Sequence, residues 1–546
     1  MRFLRNLSNP GAGLFGLAIL ALLAAPASGG DWPQWCGRPD RNMVSDEKGL
    51  PDRFDEVTGK KTTGLANVKW AARLGIATFG SPVVSGGKVF VGGAEGLFSH
   101  SDTLAVLWCL RESDGKLLWR LRLPFRPGAI NRSFGITSTP TIDGDRVWLE
   151  TPNGEVVCLS ADGLAGGNRG PFTDEANYFA TGRKLLKNEI APDGRRIIEW
   201  TPGTPAALGP IDADVLWRFD LLSEVNAWPF NACNAAPLLL GDRLYVGTCS
   251  TLSAHSDGSI AVIDPWKKAQ NRKTYDSPDL IVLDRNTGKL LAVEKEGIFD
   301  RTFHGSHSTP ALGKVNGRDL IVFGGGDGTC YAFDADFAPG AEGAPGALKL
   351  VWKFNALDPA HYDPGFFARK LDRAETVASP VFYGNRVYLS LGNDLIKSGR
   401  RAGPGRLVCI DATKTGDISG AGIVWSFDKI HSSASTVAVA DGLVYAADAA
   451  GSVWCLDAET GKLYWSHDTA DVWSSPLAAD GKVFVPTHGR GLLVLAQGKN
   501  KKVLTEAGGD EEFVASPAAA NGTLFLASQK YLYAVQKGAS GSVVDR

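Results

Sequence analysis

DGLVYAADAAGSVWCLDAETGKLYWSHD, residues 441–468, holds three short apolar runs. Leu443-Val444-Tyr445-Ala446 follows an Asp-Gly turn, 452–456 follows Ala450-Gly451, and 462–466 follows Thr460-Gly461. Runs rich in β-branched and aromatic residues, cut every ~8–12 residues by Gly turns, form antiparallel strands joined by hairpins. Three such strands cannot bury a face alone, so the unit requires neighbours of its own kind.

Those neighbours are present. A small, mostly polar residue and a proline precede an apolar pair whose first member lies seven residues after the proline. The spacing recurs at Pro82/Val89, Pro140/Val147, Pro237/Leu244, Pro380/Val387, Pro476/Val483 and Pro517/Leu524. Pro310 reaches Leu320 through a three-residue insertion, and Val437 replaces proline ahead of Val444. The eight copies, about 40 residues apart where most regular, predict an all-β fold: an eight-bladed β-propeller of four-stranded antiparallel blades. Fourth strands carry Trp119, Trp217, Trp352, Trp425 and Trp465. The eighth unit ends near 533–537 without such a strand. The leftover Asn67-Val68-Lys69-Trp70 is predicted to complete it, closing the ring with an N-terminal strand and leaving few open sheet edges.

The remaining chain is read around that ring. Residues 1–27 have the form of a signal peptide: Arg2 and Arg5, an apolar run over 14–25, and the small-residue site Ala25-Pro26-Ala27. Residues 28–66 read as an irregular arm with Trp32 and Trp35, 67–540 as the propeller, and 541–546 as a tail. An insertion at 160–213, between the third and fourth strands of blade two, is expected on the opposite face from the long loops or on the rim. Without Arg2 and Arg5 the chain has 55 basic and 59 acidic residues, a net charge of −4. That balance is no footprint for nucleic acid, and no later stretch has the ~18 consecutive apolar residues of a stable membrane anchor. The expected product is a periplasmic or secreted monomer.

The units at 453–465 (VWCLDAETGKLYW) and 281–293 (IVLDRNTGKLLAV) resemble the PQQ-like repeat family of β-propellers. This family includes quinoprotein alcohol dehydrogenases and the propeller lipoprotein of the bacterial outer-membrane β-barrel assembly machinery. The resemblance covers about 68–535. The arm at 32–54 resembles the WPQWRGP…GLP opening of secreted members, with Cys36 where Arg is usual. The resemblance implies that Asp457, Gly461 and Trp465, with Asp284 and Gly288 in blade three, dock blades together. It specifies a fold rather than an activity.

Cys109, Cys158, Cys409 and Cys455 occupy one slot of the repeat, filled elsewhere by Ala332, Val282 and Ala534, which marks a small core position rather than a reactive one. Cys233 and Cys249 flank one hairpin of blade three and are the candidate disulfide in an oxidising compartment. No C-x-x-C-H or paired C-x-x-C is present, nor the adjacent Cys-Cys pair of many quinoprotein dehydrogenases.

In a propeller, the loops entering first strands and those joining second to third strands open on one face. Both kinds are long here, and all eight His residues map to them. This face is the expected functional one. The leading expectation is a non-catalytic binding or scaffold propeller taking a polypeptide, glycan or small ligand through Asn131, Arg132, Trp228, Asn231, Arg301, His304, His307 and Trp473. The alternative, implied by the resemblance, is a dehydrogenase of alcohols or sugars using PQQ and Ca²⁺. Trp228 or Trp473 would then stack on the quinone, Arg132 or Arg301 would sit beside it, and Asp300 would act as base. No metal ligand set and no catalytic motif stands out in the residues themselves.

Overall fold

Each of the eight small-polar-Pro steps leads into a three- to five-residue strand, and each such strand opens a four-stranded antiparallel sheet. The computed structural model describes residues 29–97, 103–126, 134–190, 196–227, 229, 233–250, 277–302, 305–341, 343–357, 374–393, 402–506, 509 and 511–545. Within them the eight sheets form an eight-bladed propeller. Blade six, built from 441–468 and the strand before it, is representative. Ala438–Ala440, Leu443–Ala447, Ser452–Asp457 and Leu463–Asp468 pair in order, antiparallel throughout. The turn residue Asp441 has φ +51° and Gly442 φ +75°, the left-handed pair that a two-residue hairpin requires.

The ring closes as the leftover strand predicts. Leu65–Arg73 pairs antiparallel with Tyr531–Gly541, Trp70 lying opposite Ala534, and becomes the outer strand of blade eight. Several blades also gain a short fifth strand, such as Gly346–Ala347 beside blade three and Val543–Val544 beside blade eight.

The recurring cysteine slot has a geometric meaning. Cys109, Cys158, Cys409 and Cys455 each lie on a third strand between an aromatic residue of the second strand and a tryptophan of the fourth. The sets are Phe90–Cys109–Trp119, Trp148–Cys158–Trp217, Tyr388–Cys409–Trp425 and Tyr445–Cys455–Trp465. Two large rings leave room only for a small side chain; in the equivalent slots Ala332 lies between Val322 and Trp352, and Val282 between Tyr245 and Ala292. Burial pushes these thiols up, to about 12 for Cys158, Cys409 and Cys455, which keeps them protonated.

The outer tryptophans cross blade boundaries. Trp70, Trp119, Trp425 and Trp465 donate their indole N–H groups to the carbonyls of Glu112, Ala161, Ala458 and Gly498 in the following blade, at 2.8–3.0 Å. Asp457 holds the receiving turn in shape by accepting from the Glu459 and Thr460 amides and from the Tyr464 hydroxyl. Gly461 lets the Trp425 ring of the preceding blade lie flat against that turn. A Cβ there would stand 2.7 Å from the indole, and φ is +69°. Asp284 and Gly288 do the same for Trp217 in blade three.

Gly461→Ala should therefore cost about 2 kcal/mol or more, from left-handed strain together with overpacking. Gly442→Ala is the control, since its φ is also positive but a Cβ there meets nothing within 4 Å. Urea denaturation should show the larger loss for Gly461→Ala. Equal losses would show that the tryptophan contact contributes little.

Candidate functional site

The innermost strand of every blade is a sheet edge facing the central axis, and its backbone groups need partners there. Two layers supply them. In the first, the hydroxyl of one small-polar-Pro step accepts the backbone N–H of the same step in the preceding blade. The bonds run Ala236→Thr309, Thr309→Ser379, Ser379→Thr436, Thr436→Ser475, Ser475→Ser516 and Ser516→Ser81, at 2.8–3.3 Å. Six links thus join seven blades. Ala236 is the one member of the eight without a hydroxyl.

The arm supplies the second layer, on the side of the turns joining first to second strands. Trp32 pairs with Val84 of blade one, and the Pro33 carbonyl accepts from Ile142 of blade two. Pro39 accepts from Leu312 and Asp40 from Phe382; Asn42 both donates to and accepts from the Val439 backbone. Met43 accepts from Ala478, Val44–Ser45 runs parallel to Leu477–Ala479, and the Ser45 hydroxyl donates to Ala519. Blade three is met through Arg41, whose guanidinium donates to the carbonyls of Pro237, Pro310 and Trp35 and to the Gln34 side chain. Sixteen residues of chain, 32–47, thereby touch all eight blades. Arg41 is fully buried; burial pulls its pKa down to about 10, so it stays charged at neutral pH. The Trp35 indole donates to Ser379, joining the arm to the hydroxyl layer. The axis is thus filled from the turn side, and approach to it is from the loop-bearing side.

Of the residues expected on that side, Asn131, Arg132, Trp228, Asn231 and His304 lie outside the described residues. Arg301, His307 and Trp473 are described. Arg301, half exposed, pairs with Asp327 at 2.9 Å and donates to the Tyr331 hydroxyl, which in turn donates to Asp327. Burial opposes its charge, but Tyr331 and Asp327 outweigh that and raise its pKa. His307 is buried two residues before Thr309 of the hydroxyl layer, and Trp473 is half-buried two residues before Ser475. Arg301 and His307 enter blade four while Trp473 enters blade seven, so the structure does not bring the three into one cluster.

The candidate disulfide is not formed: Cys233 and Cys249 are both buried free thiols. Cys233 instead shares a hydrogen bond with the fully buried Glu150, and burial pushes both thiols and this carboxyl well above their usual ranges. Among the described residues no three His, Cys, Asp or Glu side chains converge to hold a metal ion.

A second site escaped sequence reasoning. The insertion leaves the third strand of blade two and climbs the rim to the loop-bearing side, where the Tyr178 hydroxyl donates to Glu155 at 2.7 Å. Among the described residues its regular pieces there are the single turn Glu175–Tyr178 and the hairpin Leu185–Ile190 with Arg196–Trp200. Between insertion and blades lies a pocket of about 1140 Å³. At its base Glu155, nearly fully buried, accepts from Arg126 at 2.8 Å and Arg218 at 2.9 Å, and Arg126 also reaches Asp220 at 2.6 Å. The two carboxylates outweigh burial and hold Arg126 charged. Arg126, Glu155 and Arg218 come from three separate strand ends and carry no repeat signature, so only the fold assembles them.

With this geometry in hand, the comparisons with known proteins are direct. The family profile described as outer membrane protein assembly factor BamB, a PQQ-like repeat family, matches residues 53–165, 369–467 and 404–544, together more than half of the chain. The chain belongs to that family. BamB from Moraxella catarrhalis is similar in structure at 12% identity, covering 89% of this chain and 98% of that one, with a TM-score of 0.47. The quinohemoprotein alcohol dehydrogenase from Comamonas testosteroni is similar at 15% identity, 94% and 82% coverage and a TM-score of 0.42. A computationally designed protein, Ika8, gives 11% identity, 90% and 99% coverage and 0.41. These likenesses add nothing to the fold already described. No curated protein matches the chain significantly. Among the described residues no helix is long and apolar enough to cross a membrane.

Arg41→Met should lower unfolding stability by about 3 kcal/mol, because buried carbonyls of three chain segments lose their charged donor. It should also change Trp35 fluorescence in the folded state. A variant as stable as the wild type in urea would show that the arm is not held by this residue.

Proposed function

We propose that this protein is an exported, non-catalytic propeller that acts as a binding scaffold, taking a polypeptide at its loop-bearing face. A glycan or small ligand is the other occupant that face would accept. The observation carrying this reading is the filled axis: the arm occupies the turn side, leaving the side of the long loops as the approach to the centre. The family description, an outer membrane protein assembly factor, supports a polypeptide partner and a periplasmic or extracellular place of work. The leader-like segment at 1–27 supports export. Arg301, His307 and Trp473, with Asn131, Arg132, Trp228, Asn231 and His304, are the proposed contact residues.

Immobilised mature chain should capture a defined set of polypeptides from a periplasmic extract, and Arg301→Ala/Trp473→Ala should reduce that capture at least fivefold. Unchanged capture would remove this face as the contact surface. A thermal-shift titration with PQQ and Ca²⁺ separates the dehydrogenase reading. A ligand present at ~100 times its Kd adds about 2.7 kcal/mol to folded-state stability, so binding would be plain. We expect no shift; one that needs both components would replace the scaffold reading with a quinone-dependent dehydrogenase.

A further inference from the structure

The pocket between the insertion and blades one and two is not used by the proposed scaffold function, and its charges do not cancel at its centre. Arg126 is answered by both Glu155 and Asp220, and Arg218 shares Glu155. Glu155 is then saturated, since its other oxygen accepts from Tyr178. Asp220 is similarly engaged, capping the short helix Leu221–Val225 through the Leu222 and Ser223 amides. Arg183, from the insertion, has no carboxylate partner among the described residues. It donates only to the Asn177 carbonyl, and its Nε is buried with no acceptor. Burial, and then the charges of Arg218 and Arg126, pull its pKa down against the opposing charges of Glu155 and Asp174. Glu224, the remaining acid of the lining, is exposed at the rim.

Apolar surface stands beside this charge. Phe172 and Tyr178 pack edge to face with ring centres 5.8 Å apart, and Arg218 lies over both at 5.9 and 5.5 Å. The volume, about 1140 Å³, is slightly above the ~300–1,000 Å³ usual for small-molecule sites.

We propose that this pocket binds a small carboxylate-bearing ligand, its carboxylate on Arg183 and its body against Phe172 and Phe125. The lining holds three guanidiniums and three carboxylates, and Arg183 is the guanidinium without a carboxylate partner among the described residues. The terminal N–H groups of this guanidinium lie in one plane, which suits a planar carboxylate. Two sources share this chemistry, a uronic acid saccharide and the carboxylate of a short peptide.

Isothermal titration calorimetry on the full mature chain separates them. The probes are trigalacturonate, a Glu-Phe dipeptide, the methyl ester of each, and inorganic phosphate. We expect at least one carboxylate probe to bind, its ester to bind at least tenfold more weakly, and Arg183→Gln to lose at least tenfold in affinity. The preferred probe identifies the source. Arg183 sits in the insertion, outside the blades, so the variant's melting temperature should match the wild type. Phe172→Ala is a second variant that should weaken binding without changing the preference for free acid over ester. The proposal is overturned if neither carboxylate binds at millimolar concentration, if esters bind as well as acids, if phosphate binds more tightly than both, or if Arg183→Gln binds normally.

Discussion

Eight sheet edges face one narrow shaft, and everything near the axis follows from the need to pair them. An unpaired buried amide costs on the order of 1–3 kcal/mol, so the innermost strands of a propeller cannot simply end in empty space. Here the requirement is met by a hydroxyl passed from blade to blade and by a segment of chain threaded past every inner strand. The hydroxyl step is small because eight of them converge, polar because an amide awaits it, and followed by proline because the next residue has no ladder partner for an N–H. The same demand places a charged arginine in the interior. Arg41 alone has enough donors in one plane to serve carbonyls from blades three and four and from the arm itself.

This arrangement explains how far the sequence could be read. Blade number, strand order and ring closure were legible because each repeats a local pattern whose period and turn residues have direct backbone meaning. The small-polar-Pro step was visible as a spacing, but its purpose was not, since the partner of Ser475 is the same step in another blade. Arg41 gave no signal at all: in a stretch rich in Asp, Pro and Gly, an arginine reads as solvated. The rim pocket was illegible for a different reason. Tyr178 and Arg183 belong to an insertion with no register, and Glu155 looked like any acidic residue beside a hairpin turn.

The cysteines show where compartment reasoning and packing part company. An oxidising environment argues for pairing Cys233 with Cys249, whereas the interior offers Cys233 a buried carboxyl that must share a proton with something. Glu150 is fully buried, and a neutral carboxyl held against the Cys233 thiol relieves that burial at least cost. The four repeat-slot cysteines never had that choice, being wedged between two rings on adjacent strands.

Filling the shaft from one side also divides the molecule's surfaces by what they are free to do. The turn side is committed to the arm, and its conservation of shape depends on backbone pairing around the full ring. The loop side keeps its backbone needs satisfied one layer below, at the hydroxyl ring, so its loops can vary in length and chemistry without disturbing closure. The insertion exploits that freedom. It starts and ends on the turn side, yet climbs the rim to deliver Tyr178 and Arg183 beside Glu155 and Arg218 on the loop side. The asymmetry between the two faces begins with an arm of sixteen residues paired to eight edges.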